Sequence, residues 1–329
     1  MRILVTGGGG FLGRALVDML RARGDTVRSF SRTPPPELAA LGVEIYTGDL
    51  ADADKVGQAV RGCEAVLHVA AKAGVWGSWQ EYFRPNVLGT RNLLAACRQQ
   101  GVGRLIYTST PSVVFNGEAH AGADESLPYG RDFPCHYPHT KALAEQEVLA
   151  AHDPQKLAVV ALRPHLIWGA GDPHLVPRIL ARAQRLRIIG DGENRVDLTH
   201  VRHAAQAHLL ALDALANPRH PAGGRAFFIS DGAPVKLWDW INELLGRLGR
   251  PPIEKRLSLR AAKTVGGVLE TLWRVLPLRG EPPMTRFVAT ELAKDHWYSI
   301  AAARRDLGYA PAPDLSREMG ELLASLETK

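Results

Sequence analysis

Short apolar runs alternate with longer stretches in which apolar residues recur every three or four positions, as far as about residue 170. The short runs predict buried strands, and the longer stretches predict amphipathic helices. The predicted strands are 2–5, 26–30, 43–46, 65–69, 105–108 and 156–162, and the predicted helices are 12–20, 53–60, 86–98 and 137–149. This alternation predicts an α/β fold: a parallel, doubly wound sheet of the Rossmann type, with helices on both faces and ligands beside the carboxyl ends of its strands.

The pattern changes after about residue 170, where the segments become irregular or helical and rich in proline. We therefore predict two parts. Residues 1–170 form the sheet domain, and residues 171–329 form a smaller part that covers the ligand and is interleaved with the first. No linker, internal repeat or low-complexity segment separates them.

Composition narrows the class of protein. Of 329 residues, 46% are hydrophobic and 22% charged, which is enough to bury a sizeable core. The 40 Lys and Arg and 34 Asp and Glu form no long run of like charge, so a nucleic-acid partner is not expected. No signal peptide or membrane span is recognisable, and this absence together with only three cysteines predicts a reduced, cytoplasmic location. Neither the cysteines nor the histidines at 136, 139 and 165 show metal-ligand spacing, so we expect no metal.

Glycines cluster between the first predicted strand and the first helix, in TGGGGFLG at 6–13. Gly7, Gly10 and Gly13 allow the backbone to turn tightly and approach a pyrophosphate, whose charge is stabilised at a helix N-terminus. Flexible turns also collect glycine. The position of the loop, at the first strand-to-helix junction of an alternating chain, is what indicates dinucleotide binding.

The end of the second predicted strand favours NADP(H) over NAD(H). NAD enzymes usually carry an acidic residue there for the ribose hydroxyl, whereas an arginine accommodates a 2′-phosphate. Here the strand ends in Ser31-Arg32, and Asp25 precedes it. Ser31 and Arg32 are suited to hold the phosphate by charge-assisted hydrogen bonds. The alternative is that Arg32 is a solvated surface residue.

A tyrosine and a lysine, Tyr137 and Lys141, lie four residues apart and therefore on one face of the predicted helix 137–149. An unperturbed tyrosine is a weak acid at neutral pH, and a nearby ammonium lowers its pKa. The fifth predicted strand ends in hydroxyl side chains, in TSTPS at 108–112, one of which can hold a substrate oxygen beside Tyr137. Lys141 is expected to stay charged throughout.

Several motifs resemble the extended short-chain dehydrogenase/reductases. They are TGGGGFLG, Asp49-Leu50, Ala70-Ala71, NVLGT at 86–90, YTST at 107–110, YPHTK at 137–141 and RPHLIWG at 163–169. YTST-x-SVVF, DLTHV at 197–201 and RRDLGY at 304–309 are most similar to the 3β-hydroxysteroid dehydrogenase branch. Arg202-His203 departs from this branch, which often has an acidic residue there, and the sequence offers no chemical reason for the change.

The resemblance assigns roles residue by residue. It implies that Tyr137 is the general acid, that Lys141 lowers the pKa of Tyr137 and binds ribose, and that Thr110 occupies the position of the catalytic serine. Ser109 and Ser112 remain alternatives to Thr110. Asn86 either supports a proton-supplying water chain or caps a helix. The implied cofactor-binding residues are Gly7, Gly10, Phe11, Leu12, Gly13, Ser31, Arg32, Asp49, Leu50, Ala70, Ala71, Lys72, Thr108, Tyr137, Lys141, Pro164 and Ile167.

AAKAGVWGS at 70–78 and RPHLIWGAGDPHLVP at 163–177 further resemble bacterial reductases of long-chain 2-alkyl-3-keto acids in olefin biosynthesis. The resemblance implies NADPH-dependent reduction of a β-keto acid to the β-hydroxy acid. One alternative is a 3β-hydroxysteroid or sterol dehydrogenase. A nucleotide-sugar epimerase or dehydratase fits the apolar loops less well. From another class, a dinucleotide-sensing regulator without catalysis is disfavoured by Tyr137 and Lys141.

Aromatic and apolar residues follow the fourth and sixth predicted strands. The candidate substrate residues are Val75, Trp76, Trp79, Thr110, His165 and Trp168, and the alternative for the large side chains is core packing. In VGGVLETLWRVLPL at 265–278, Leu269, Leu272, Trp273 and Leu276 recur at helical spacing. Such a stripe indicates core packing by default, and otherwise a hydrophobic lid or a contact with a membrane surface or partner enzyme. The resemblance also implies a homodimer formed by the helices that begin near Asn86 and Tyr137.

Overall fold

Strands and helices alternate along most of the chain in the computed structural model, which describes residues 1–276 and 278–327. The strands are β1 (Arg2–Thr6), β2 (Thr26–Ser31), β3 (Glu44–Thr47), β4 (Ala65–His68), β5 (Arg104–Thr108), β6 (His120–Ala123), β7 (Ala158–Pro164), β8 (Ile167–Trp168), β9 (Ile188–Ile189), β10 (Arg195–Val196), β11 (Thr199–His200), β12 (Arg225–Ile229), β13 (Val235–Lys236), β14 (Arg256–Leu257) and β15 (His296–Tyr298). The helices are α1 (Phe11–Ala22), α2 (Pro36–Ala40), α3 (Ala53–Val60), α4 (Trp79–Phe83), α5 (Gly89–Gln100), α6 (His136–Ala150), α7 (Leu175–Arg182), α8 (Val201–Ala214), α9 (Leu237–Arg247), α10 (Leu259–Val275), α11 (Arg286–Glu291), α12 (Ala301–Leu307) and α13 (Leu315–Glu327). A π-helical segment, Arg84–Leu88, joins α4 to α5, and a 3-10 helix, Pro111–Val114, follows β5.

Seven parallel strands form the central sheet, in the order β12-β7-β5-β4-β1-β2-β3. The strand order reverses beside β1, which lies between β2 and β4. Ligands of doubly wound sheets bind at such a reversal, outside the carboxyl ends of the strands. The predicted doubly wound parallel fold is confirmed.

The predicted strands of the sheet agree with the observed ones to within two residues at their ends, but β12 was not predicted. Its short apolar run, AFFI at 226–229, lies in the proline-rich region where the alternating pattern is lost. A run this short cannot be assigned from periodicity alone. Because β12 pairs with β7, the sheet draws strands from both sides of residue 170. The functional division at that residue stays a prediction.

Apolar side chains fill a layer on each face of the sheet. On one face, residues of α1, α8 and α12 pack against the strands, and on the other face residues of α3, α5 and α6 do so. Every residue of β7 is buried, as expected for a parallel strand covered on both faces. A further core, containing Trp168, Trp238 and Trp240, holds α9, α10 and α13 together beyond the sheet.

The apolar stripe of α10 faces outward. Val265, Val268, Leu272, Val275 and Leu276 are between 41% and 75% exposed. The buried residues of this helix are Ala262, Gly266 and Glu270. In the predicted stripe, Leu269 and Trp273 are partly buried, whereas core packing, the default expectation, is wrong for Leu272 and Leu276. Within the segment 265–278, Pro277 lies outside the described residues. No described helix is long and apolar enough to cross a membrane.

We predict opposite effects for alanine at two helical glycines. A Cβ atom at Gly13 would lie 2.0 Å from the carbonyl oxygen of Gly7, whereas one at Gly57 would meet no atom within 4 Å. Gly13→Ala is therefore expected to lower the free energy of unfolding by about 1–3 kcal/mol through overpacking. Gly57→Ala, in α3, should raise it by about 0.5–1 kcal/mol through backbone entropy. Urea unfolding of both variants tests this, and an unchanged stability of Gly13→Ala would contradict it.

Candidate active site

The glycine loop between β1 and α1 forms a cradle for a charged group. Helix α1 begins after Gly10 with no side-chain cap and no acidic residue in its first turn. Its first N–H groups, including those of Phe11 and Leu12, therefore have no intrahelical acceptor and suit an anion. Gly7 has φ +71° and would place a Cβ atom 3.2 Å from the Cα atom of Ala70. Since the close approaches at Gly7 and Gly13 leave no room for side chains, this loop fits a dinucleotide pyrophosphate.

The segment that follows β2 packs against this loop. A Cβ atom at Gly9 would lie 2.8 Å from the side chain of Pro35, so residues 31–35 border the glycines. Ser31 donates its hydroxyl to the carbonyl of Thr33 at 2.7 Å. Arg32 is exposed and forms no ion pair within the described ranges 1–276 and 278–327. Beyond β3, Asp49 is exposed and accepts from the amide of Ala51 at 2.9 Å, while Leu50 is buried.

The loop after β4 is held by a buried asparagine. The Asn86 amide accepts from the backbone N–H of Lys72 at 2.8 Å and donates to the Lys72 carbonyl at 3.0 Å. It also donates to the hydroxyl of Thr140 at 3.1 Å. Because Asn86 lies within the π-helical segment, it is not a helix cap. It fixes residues 70–72 against α6, and a role in a water chain stays a prediction.

A buried histidine that the sequence analysis did not single out links these parts. The Thr6 hydroxyl accepts from the amides of Val69 and Ala70, each at 3.0 Å, which leaves its proton for Nδ1 of His68 at 2.8 Å. Nε2 of His68 then donates to Thr90 at 2.9 Å, and Thr90 donates to the carbonyl of Asn86 at 2.6 Å. Burial lowers the pKa of His68 to about 3, so the ring is neutral and carries its proton on Nε2. The sequence signal for this buried link is one polar residue, His68, at the end of an otherwise apolar strand.

Lys141 is buried beneath the carboxyl end of β5. Its Nζ donates to the Thr108 carbonyl at 2.7 Å and lies 4.0 Å from the centre of the Tyr107 ring. Burial lowers the pKa of Lys141 to about 7, and the charge of Glu145 acts in the opposite direction. This lowered pKa makes the charge of Lys141 depend on the groups around it, and the expectation that Lys141 stays charged throughout stays a prediction.

Tyr137, in the first turn of α6, is partly exposed at the same edge of the sheet. Burial raises the pKa of Tyr137 to about 12, and a hydrogen bond with the Thr110 side chain opposes this rise. Thr110 precedes the 3-10 helix and donates to the Ser112 hydroxyl at 3.2 Å. The hydroxyl of Ser109 is buried with no hydrogen-bond partner among the described residues. Of the three candidate hydroxyls, only that of Thr110 interacts with Tyr137 in this arrangement.

A buried ion pair lies behind Lys141. Arg163 on β7 and Glu145 on α6 approach to 2.5 Å, and both are fully or nearly fully buried. The hydroxyl of Tyr129 also donates to Glu145, at 2.7 Å. Glu145 is four residues after Lys141 and therefore on the same face of α6. That spacing was visible in the sequence. It identifies Glu145 as the carboxylate whose negative charge compensates the positive charge of the buried lysine.

The RPHLIWG segment turns sharply after β7. Leu166 has φ +36°, which strains a residue with a Cβ atom. Thr199 restrains this turn by donating to the His165 carbonyl at 2.5 Å. His165 is buried and pairs with His296 at 2.6 Å, and Pro164 is also buried, whereas Ile167 is partly exposed. Trp168 is fully buried against Trp240, so its side chain packs in the core.

The candidate substrate residues after β4 remain partly exposed. Val75 and Trp76 lie in the loop before α4, and the guanidinium of Arg274 lies 5.7 Å from the Trp76 ring. A Cβ atom at Gly74 would lie 3.0 Å from a carboxylate oxygen of Glu281. This loop therefore faces the end of α10 and the segment after it. Trp79 packs with His136 and His139, at ring distances of 5.6 and 5.0 Å.

Comparison with known proteins gives the same class. Residues 4–259 match the 3-beta hydroxysteroid dehydrogenase/isomerase family. The chain is 52% identical to a 2-alkyl-3-oxoalkanoate reductase of Stenotrophomonas maltophilia (strain K279a), over 99% of both chains. It is 37% identical to a 3 beta-hydroxysteroid dehydrogenase/Delta 5-->4-isomerase of Mycobacterium tuberculosis (strain CDC 1551 / Oshkosh), over 98% of this chain and 89% of that one.

A solved structure shares the fold. MoeE5 in complex with UDP-glucose and NAD superposes with a TM-score of 0.74 at 26% identity, over 100% of this chain and 99% of that chain. The fold and the site define an oxidoreductase of the extended short-chain dehydrogenase/reductase type. The chain belongs to the 3-beta hydroxysteroid dehydrogenase/isomerase family.

Replacing Lys141 by methionine is expected to stabilise the fold. Lys141 binds its proton more weakly in the folded protein, with a pKa of about 7, than at the usual value of 10.5. The unfolded chain therefore holds more protons between these values, and wild-type stability falls as the pH drops from the upper to the lower one. Methionine removes this loss. The gain in free energy of unfolding for Lys141→Met should be largest below pH 7 and shrink towards the usual lysine pKa.

Urea unfolding at about pH 6 and about pH 9.5 measures this difference. Lys294→Met is the control, because Lys294 is partly exposed and forms an ion pair with Glu118 at 3.1 Å. A gain for Lys141→Met that does not depend on pH would mean that Lys141 keeps an ordinary pKa in the folded protein.

Proposed function

We propose that this protein uses NADPH to reduce the β-keto group of a long-chain 2-alkyl-3-keto acid to a hydroxyl group, in olefin biosynthesis. The observation that carries the proposal is the grouping of Tyr137, Lys141 and Thr110 at the carboxyl edge of the sheet, the edge at which the glycine loop follows β1. The full-length similarity to a 2-alkyl-3-oxoalkanoate reductase supports the substrate class.

Side chains of this protein supply the proton that the ketone oxygen takes up. The nicotinamide cofactor, when bound by the glycine loop, would supply the hydride that reduces the ketone carbon. Tyr137 donates its phenolic proton to the oxygen as negative charge develops there, and the Thr110 hydroxyl donates a hydrogen bond to the same oxygen. The ammonium form of Lys141 stabilises the phenolate that remains on Tyr137. The Thr108 carbonyl holds Lys141 in place for this step.

Arg32 and Ser31 support the preference for NADP(H). Strand β2 ends at Ser31 without a carboxylate, and Arg32 is exposed with no competing ion pair in the described chain. A 2′-phosphate is the anion that this guanidinium would pair with. Gly7, Gly10 and Gly13 would hold the pyrophosphate, and the remaining cofactor-binding residues predicted from the sequence keep that assignment.

The exposed stripe of α10 suits a long apolar substrate. Val265, Val268 and Leu272 present apolar surface, and Lys263 and Arg274 on the same helix supply positive charge. Such a surface supports peripheral contact of a cytoplasmic protein with an anionic membrane, from which an acyl chain would reach the loop at Val75 and Trp76. Partner enzymes of the pathway would use the same face.

A homodimer through α5 and α6 is the assembly that the resemblance implies. These helices lie side by side, and exposed Arg91 on α5 pairs with Glu147 on α6 at 2.6 Å. Leu143 and Leu149 on α6 are partly exposed and offer apolar area to a second copy.

The purified protein should oxidise NADPH when a long-chain 2-alkyl-3-keto acid is added, and do so less efficiently with NADH. Removal of a charge-assisted hydrogen bond costs about 1.5–3 kcal/mol, so Arg32→Ala should lower kcat/KM for NADPH by roughly 10- to 100-fold. The same variant should leave NADH turnover nearly unchanged. Absorbance at the nicotinamide band measures all four combinations of enzyme and cofactor.

Tyr137→Phe separates catalysis from binding in the same assay. It should keep NADPH binding, measured by fluorescence, and lose turnover by at least about 100-fold, as for a general acid. Turnover with a 3-ketosteroid alone would transfer the proposal to the steroid dehydrogenase alternative. NADPH binding without turnover of either substrate would favour the dinucleotide-sensing regulator.

Membrane contact through α10 predicts binding to anionic vesicles. Val268→Ser with Leu272→Ser removes buried CH groups from such a contact and should reduce cosedimentation with phosphatidylglycerol vesicles several-fold. Ala312→Ser, at an exposed position outside α10, is the control. If the double variant cosediments as well as the control, α10 does not contact the membrane.

A further inference from the structure

His203, one of the two residues whose departure from the family branch the sequence does not explain, belongs to a cluster of three possible metal ligands. His200 precedes α8, His203 lies in its first turn, and Glu318 comes from α13. Nδ1 of His200 is 3.7 Å and Nε2 of His203 is 3.8 Å from Oε1 of Glu318. One ligand atom from each residue lies within 4.8 Å of the other two.

Two residues of this cluster are buried and carry atoms without hydrogen-bond partners. His200 is 2% exposed and Glu318 is 4% exposed. Neither ring nitrogen of His200 and not Oε2 of Glu318 forms a hydrogen bond within the described part of the chain. Buried polar atoms without a partner are costly, and they are rare in folded proteins. The arrangement therefore calls for a group that these atoms would share.

A second carboxylate orients the histidines. Oδ1 of Asp231 pairs with Nδ1 of His203 at 2.8 Å, so that Nε2 of this ring is left for Glu318 and a shared ligand. Asp231 also accepts from the backbone N–H of His200 at 3.0 Å. A carboxylate behind a histidine is the usual outer partner of a metal-binding imidazole, because it fixes the tautomer and raises the basicity of the ring.

We propose that Nδ1 of His200, Nε2 of His203 and the carboxylate of Glu318 bind one divalent transition-metal ion, with Zn²⁺ as the best match. Two imidazoles and a carboxylate are a donor set that zinc accepts, with a fourth position for water or the second Glu318 oxygen. Zinc bonds of about 2.0–2.2 Å place tetrahedral ligand atoms about 3.4 Å apart. The two separations to Glu318, 3.7 and 3.8 Å, close to that value through movements of a few tenths of an ångström. The ligand atoms of His200 and His203 lie within 4.8 Å of each other and approach further by rotation of the rings.

The charges near the cluster match a divalent ion. Glu318 and Asp231 place two carboxylates beside the two imidazoles. The nearby cation, Arg202, is directed away to Glu321, at 2.5 Å. The metal would join α13 to the start of α8, because Glu318 is the ligand that comes from the C-terminal helix. We assign it a structural role, since Met319 and Leu322 on the same helix are buried in the core that contains Trp168.

The test is zinc binding by the full chain, purified without a histidine tag and freed of metal with a chelator. After incubation with Zn²⁺, wild type is expected to retain one Zn²⁺ per chain through desalting, measured by plasma mass spectrometry, and to melt at a higher temperature with Zn²⁺ than with chelator. Cobalt(II) in its place should give the visible absorption of a four-coordinate ion. Asp231→Asn should weaken zinc affinity by about 10- to 100-fold.

His203→Gln and Glu318→Gln should lose both the bound zinc and the zinc-dependent rise in melting temperature. His174→Gln, an exposed histidine outside the cluster, is the matched control and should keep both. Two results would overturn the proposal: no zinc retained by the wild type, or equal zinc in wild type, Glu318→Gln and His203→Gln, which is adventitious binding only. Glu318→Gln is nearly isosteric, and circular dichroism verifies that it folds. None of these measurements depends on ketoreductase activity.

Discussion

A buried ammonium group is the constraint around which the active site is built. Lys141 has to be desolvated to lie beneath the end of β5, and a buried charge is costly unless other groups compensate it. The Thr108 carbonyl, the face of Tyr107 and the carboxylate of Glu145 supply that compensation. Each comes from a different position along β5 or α6. Helix α6 can therefore satisfy Lys141 only when it lies along the edge of the sheet, and this placement brings Tyr137 to Thr110.

The glycine loop and helix α6 are joined through the interior by hydrogen bonds. Hydrogen bonds run from Thr6 through His68 and Thr90 to Asn86, and from Asn86 to Thr140 on α6. Every member of this chain is buried, so none exchanges its partner for water without cost. A cofactor seated on the loop and a substrate held at Tyr137 would thus share one rigid frame. The loop after β4 belongs to that frame, since the Asn86 side chain accepts from the N–H of Lys72 and donates to its carbonyl.

Local patterns were sufficient to predict the sheet, the glycine loop and the pair on α6. Parallel strands read as continuous apolar runs, and Tyr137 and Lys141 are related by helical spacing, so neighbouring residues carry the information. Features that depend on distant segments were missed. Strand β12 was missed because a five-residue run has no period of its own. The outward direction of the α10 stripe was missed because the sequence does not show that Thr285 packs against the side of the helix that carries Gly266. Glu318 and the histidines at 200 and 203 meet only through tertiary packing, so their spacing could not show a cluster.

The late position of β12 in the chain affects how the sheet folds during synthesis on the ribosome. Strand β7 is complete at Pro164, but its outer neighbour ends at Ile229, and α8 and α12 cover the same face from still later segments. While the nascent chain grows between these points, the edge of β7 has unpaired amide and carbonyl groups flanked by apolar side chains. Such edges pair readily with other chains. Until β12 has been synthesised, the nascent chain thus exposes the edge of β7, to which a chaperone can bind.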